Sequence, residues 1–259
     1  MSSLILVRSR SLLGFSRRLG VGATLLVLAS CGASDPPPLG SLEPNSTTFP
    51  GAITAGSTVT GTETSTTGPV MACVPEAPPS DHISDFSDWT GIDWGAPGAL
   101  FGSSFSYIGA SPTMIEFQVD PVEENMHITA TVVDYAGFGM RFDPCTDATG
   151  FSGIQFDLWG SAGSAVFQVQ TSEDQNEDYG DDRATCSVEA SGTCAIPQAS
   201  IAEVTETPTT LQFAWEDFSG GSPVPTLSAN QILGLQWQFQ CGEAEPCPAD
   251  VRLDNVKFY

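Results

Sequence analysis

From about residue 80 to the C-terminus the chain repeats one pattern. Runs of five to ten residues alternate apolar with polar side chains, and turn residues separate them. Residues 114–120 (Met-Ile-Glu-Phe-Gln-Val-Asp), 128–133, 151–159, 165–170, 211–215, 232–240 and 250–259 all follow it. A period of two sends successive side chains to opposite faces of a strand, whereas a helix needs a period near 3.6. No stretch sustains the helical period, and only 197–201 leaves room for a helical turn. About 180 residues of short alternating strands (80–259) predict one all-β domain, a β-sandwich or jelly roll, with a core of its own.

The alternation also assigns faces. Ile154, Phe156 and Leu158 point one way; Gln155, Asp157 and Trp159 point the other. Phe167 and Val169 oppose Val166, Gln168 and Gln170, and Leu233, Leu235, Trp237 and Phe239 oppose Gln236, Gln238 and Gln240. If these strands are neighbours, their polar faces form one surface of amides and a carboxylate beside an aromatic ring. A carboxamide offers an acceptor and two donors, which matches vicinal hydroxyls, and a ring stacks on the apolar face of a pyranose. A sheet face merely solvated by Gln has the same pattern, so alternation leaves both readings open. The residues that would line a glycan groove are Asp157, Trp159, Gln168, Gln170 and Gln238. Tyr179, from the acidic loop 173–182, and Arg141, from the strand 138–142, would stand at its rim.

The N-terminal residues 1–31 read as an export leader. Arg8, Arg10, Arg17 and Arg18 precede the apolar run 19–28, which ends in Leu-Ala-Ser-Cys31. The run is short for a bilayer span, and small residues precede the cysteine. Leu-Ala-Ser-Cys resembles a lipobox, which implies acylation of Cys31 and a lipid-anchored protein of the bacterial cell envelope, at the outer membrane or cell surface. Residues 32–79 are rich in Pro, Gly, Ser and Thr and are expected to act as a tether, because they lack the apolar surface needed to offset ordering entropy.

All 31 acidic residues follow the leader, against four of the eight basic ones. Such a surface repels nucleic acid and anionic lipid, so the membrane is met through the anchor only and neutral ligands are favoured. Six cysteines remain after Cys31, an even number in an exported chain, and none has C-x-x-C spacing. Cys186 and Cys194 flank a Gly-containing turn, and Cys241 and Cys247 flank Gly-Glu-Ala-Glu-Pro, so each pair is expected to bridge. Cys73 and Cys145 are left to pair by elimination.

Three stretches carry a family resemblance. Residues 81–89 (Asp-His-Ile-Ser-Asp-Phe-Ser-Asp-Trp) resemble the opening motif of galactose-binding-like jelly rolls. Residues 151–160 (Phe-Ser-Gly-Ile-Gln-Phe-Asp-Leu-Trp-Gly) are similar to their central strand, and 250–259 (Asp-Val-Arg-Leu-Asp-Asn-Val-Lys-Phe-Tyr) to their closing one. Together these resemble family-11 carbohydrate-binding modules and the related domain of a respiratory complex I assembly factor. The resemblance implies a β-sandwich over 80–259 that binds carbohydrate without catalysis. It also implies a structural Ca²⁺ near Asp85 and Asp254; oxygen-only ligands suit that ion. The family's groove is rich in Tyr, whereas this chain has four.

The acidic loop does not make an EF-hand. Asp174, Asn176 and Asp178 have the spacing, but Tyr179 stands where the loop needs Gly and Thr185 where it needs Glu. It is expected to be a solvated loop beside the groove. No G-x-S-x-G, H-E-x-x-H or phosphate loop occurs. The leading expectation is a non-catalytic binder of a neutral glycan. A structural or adhesive lipoprotein that contacts another protein is the alternative. A glycoside hydrolase comes third, since carboxylate abundance alone is no evidence for the pair that chemistry needs.

Overall fold

The computed structural model describes residues 73–95, 98–109, 112–179, 181–241 and 246–259. The leader, Cys31 and most of the tether lie outside the described residues. The strands are β1 (Pro75–Glu76), β2 (His82–Ser84), β3 (Asp93–Trp94), β4 (Gly102–Ile108), β5 (Met114–Val119), β6 (Met126–Val132) and β7 (Tyr135–Thr146). They continue as β8 (Gly153–Ser161), β9 (Ser164–Thr171), β10 (Gln198–Ile201), β11 (Thr209–Ala214), β12 (Ile232–Gln240) and β13 (Cys247–Phe258). Helical structure among the described residues is one α-turn, Val188–Ser191, and two 3₁₀ turns, Glu177–Tyr179 and Trp215–Asp217.

Two mainly antiparallel sheets face one another in a jelly-roll sandwich. Sheet A runs β10-β9-β12-β7-β4-β3, with β1 added in parallel to β7; sheet B runs β11-β8-β13-β6-β5, with β2 added to β13. The chain passes repeatedly from one sheet to the other, so most sequence neighbours face across the core instead of pairing.

The alternating residues form that core. Ile154, Phe156 and Leu158 of β8 meet Phe167 and Val169 of β9 and Leu235, Trp237 and Phe239 of β12, all buried. Trp237 is the hub: its ring centroid lies 5.2 Å from Phe167, 5.3 Å from Phe156 and 6.1 Å from Phe138. Close-packed aromatic contacts of this kind add to the area they bury.

All three expected bridges are present. Cα separations are 5.5 Å for Cys73–Cys145, 5.9 Å for Cys186–Cys194 and 5.6 Å for Cys241–Cys247. The first ties β1 to the end of β7, where Pro75 pairs with Cys145. The stretch 197–201 is an edge strand and not a helical turn: Gln198 to Ile201 pair with Gln168 to Ala165.

Candidate functional site

The outer face of sheet A is the most chemically distinctive surface of the domain. Strand register lays its side chains out in rows. Gln198, Gln168, Gln236, Gly139 and Phe105 lie side by side across five strands. The next row is Ser200, Val166, Gln238, Gly137 and Tyr107. Gly137 and Gly139 are what let the aromatics lie down. A Cβ at Gly139 would overlap the Phe105 ring, and one at Gly137 the Tyr107 ring. Both rings therefore rest across β7, and Tyr135 continues the line, with centroids 6.2 Å (Phe105–Tyr107) and 6.1 Å (Tyr107–Tyr135) apart.

The amides beside the rings are ordered by one another. Tyr107 Oη donates to Gln168 Oε1 (3.3 Å), and Gln168 Nε2 donates to Gln198 Oε1 (3.3 Å). Burial pushes the Tyr107 phenol well above its ordinary range, with Tyr135 adding to the rise. Tyr135 is also raised, first by burial and then by Asp134 and Tyr179. Both phenols stay protonated donors at any physiological pH.

The acidic loop overhangs this face and is anchored, not freely solvated as the sequence suggested. Asp174, Gln175 and Asp181 are buried. Asp174 accepts from the Val224 N–H (2.9 Å) and the Thr171 hydroxyl (3.0 Å). Asp181 takes Arg183 Nη2 at 2.7 Å and Arg141 Nε at 3.0 Å. Those anchors hold Tyr179, 55% exposed, near enough to Tyr135 for the two phenols to influence each other.

Not all the residues expected to form one groove are brought together. Gln168, Gln238 and Arg141 share the outer face of sheet A, with Tyr179 above it. Gln170 belongs to the same strand face, but it is buried and donates to Gln175 Oε1 (3.2 Å), so it supports the loop instead of facing a ligand. Asp157 and Trp159 lie on the opposite side of the molecule, on the outer face of sheet B, where Trp159 pairs with Arg252 and Asp157 with Asp254. The cause is the short connection between β8 and β9: it turns a corner from one sheet to the other and does not close a hairpin. Asp157 is engaged there, accepting from the Thr210 hydroxyl and the Asn255 amide. Phe105, Tyr107 and Tyr135 escaped the sequence reading. Their signal was available: aromatics spaced by two in 105–107 facing the glycines spaced by two in 137–139.

Asp85 and Asp254 do approach one another where β2 joins β13. Burial raises the Asp254 carboxyl, against the pull of the Asn255 N–H, and the charges of Asp157, Asp85 and Glu124 raise it further. Asp85 is lowered, chiefly by the Ser87 hydroxyl (2.6 Å). The donor chemistry suits a hard cation. Among the described residues, however, no three His, Cys, Asp or Glu side chains already surround a common point, and the Asn255 amide bridges Asp254 and Asp157.

No protein-family model matches the sequence, and no curated protein is detectably similar to it. Among solved structures, the chain is similar to the family 11 carbohydrate-binding module of the cellulosomal cellulase Lic26A-Cel5E of Clostridium thermocellum. Identity is 16%, 68% of this chain and 92% of that one are covered, and the TM-score is 0.46. A family 11 module from the same organism, in complex with a β-1,3-1,4-mixed-linked tetrasaccharide, gives 17% identity, coverage of 69% and 94%, and a TM-score of 0.46. An exo-β-agarase matches at 11% identity over 70% of this chain and 25% of that one, with a TM-score of 0.41.

Proposed function

We propose that the chain is a non-catalytic binder of a neutral glycan, held at the cell envelope through a lipid on Cys31, and that the glycan lies on the outer face of sheet A. One observation carries the reading: three of the four tyrosines, with Phe105, gather beside the glutamine rows of that single face. Rings lying on a sheet offer stacking area, and the amides and phenols supply donors and acceptors without charge. Arg141, the cation at the edge, is already paired with Asp181, which leaves an anionic sugar little to attract it.

Affinity electrophoresis on β-glucan, xylan and mannan gels tests this. The domain is expected to be retarded on at least one neutral polysaccharide. Gln238→Ala and Tyr179→Ala should each weaken binding about five-fold, the worth of roughly 1 kcal/mol. Trp159→Ala, on the other sheet, should be retarded like the parent. Since the Tyr107 and Tyr135 phenols are raised and amides do not titrate, retardation should stay flat between about pH 5 and 9. Absence of retardation on every neutral polysaccharide would hand first place to the adhesive reading.

A structural Ca²⁺ at Asp85 and Asp254 belongs to the same proposal, supported by the crowding of carboxylates around Asp254. A cation bound only by the folded state stabilises it by mass action. EDTA should then lower Tm, and Asp254→Ala should abolish that response. An unchanged Tm in chelator removes calcium from the account.

A further inference from the structure

Strand β5 closes one side of sheet B, and among the described residues no strand pairs with its outer edge. Its inward side chains, Ile115, Phe117 and Val119, are only half-buried, whereas their partners Ala130, Ile128 and Met126 on β6 are buried. Met114 is 64% exposed on its other face. A shallow depression lined by Ile115, Phe117, Gln118 and His127 runs along it. Folded proteins usually guard such an edge with Lys, Pro, a bulge or brevity. β3 has two residues and β10 four, and β11 starts directly after Pro208. β5 has six residues without Lys, Pro or Gly, and its one charge is Glu116.

We propose that this edge pairs with the β5 edge of a second copy of the chain, making an antiparallel two-fold dimer with one continuous sheet. Register decides the occupant. Residues directly opposite must face the same side. A two-fold axis at Phe117 sets Phe117 against itself, Ile115 against Val119, Glu116 against Gln118 and Met114 against Asp120. All three inward apolar side chains then meet apolar partners, and each carboxylate meets an uncharged side chain, Glu116 facing Gln118 and Asp120 facing Met114. Moving the axis to Glu116 opposes the two Glu116 carboxylates. Moving it to Gln118 opposes Glu116 and Asp120. The strand is therefore self-complementary in one full-length register, with the Ile115–Val119 and Glu116–Gln118 pairs each made twice. Such a dimer would present two sheet A faces, which raises avidity for a repeating ligand without a new contact. The acidic surfaces repel at low salt, so added salt should promote pairing.

Sedimentation equilibrium of residues 32–259 tests the proposal. The expected result is a reversible monomer–dimer equilibrium that tightens with NaCl. Gln118→Glu, an exposed change that leaves the core untouched, opposes Glu116 with a carboxylate at two symmetric places. It should weaken the dimer roughly ten-fold. Adding Glu116→Lys to that variant turns both repulsions into attractions and should restore it. A chain that stays monomeric at high salt overturns the proposal, and points to another occupant of the edge. So does a dimer indifferent to Gln118→Glu, which must use a different surface.

Discussion

Trp237→Ala will destabilise the domain by about 3–5 kcal/mol, because it empties the centre of the sandwich. The indole touches Phe138, Phe156 and Phe167, which come from three strands in both sheets. No neighbour can close over the space without moving a sheet. For a domain of this size the loss corresponds to a fall in Tm of roughly 6–20 °C. It is a large share of the ~5–15 kcal/mol that holds most domains folded. Trp237→Phe should cost far less. The indole N–H has no hydrogen-bond partner among the described residues, so phenylalanine keeps most of the packing and removes a buried polar group. Thermal melts of both variants check the pair of expectations. Equal losses would mean that the N–H is satisfied after all.

Asp181→Ala should be the most damaging substitution outside the core, at about 3 kcal/mol. It strips the shared carboxylate from two arginines, and Arg183 is itself only 13% exposed. Burial alone would raise the Asp181 carboxyl. The Arg183 hydrogen bonds and charge, with the charge of Arg141, more than reverse this and hold it below the usual range. A carboxyl lowered by folding stabilises the protein above its unfolded pKa, and that stability is lost as pH falls through the folded value. The gap in Tm between the parent and Asp181→Asn should therefore be widest near neutrality and shrink once pH drops below about 4. A gap that persists unchanged in strong acid would show that the ion pairs contribute nothing. Because Asp181 also anchors the loop that carries Tyr179, the same variants should weaken glycan retention in parallel.

Strand β4 was not legible in the sequence, for a physical reason. β4 is Gly-Ser-Ser-Phe-Ser-Tyr-Ile, and its inward positions at Gly102, Ser104 and Ser106 are small or polar, so apolar alternation fades. The middle of β7 has glycines at its outward positions, and the aromatics that cover them arrive from β4, a distant part of the chain. The strongest part of the candidate site is therefore built where each strand's own pattern is weakest. The loop 173–182 lies beside the face as expected but is less solvated than its sequence suggests, for a related reason. Its acidic composition suggests solvent, but Asp174 and Asp181 are held by a distant backbone N–H and by an arginine of β7. Such partners cannot be read from local composition.

Period-two alternation is local, because the pleat sends neighbouring side chains to opposite faces whatever the strand pairs with. The sequence alone therefore determined the all-β class, the core residues of β8, β9 and β12, and the amide-rich outward faces. Short spacing likewise brought Cys186 to Cys194 and Cys241 to Cys247. Which outward faces lie together is not local. An alternating strand, a brief turn and another alternating strand describe a hairpin and a corner between sheets equally well. Only the tertiary structure decided that β8 and β9 turn such a corner, because burying both apolar faces in one core puts their polar faces on opposite sides of the sandwich. That choice separates Asp157 and Trp159 from the glutamines, and it brings Phe105, Tyr107 and Tyr135 to them instead.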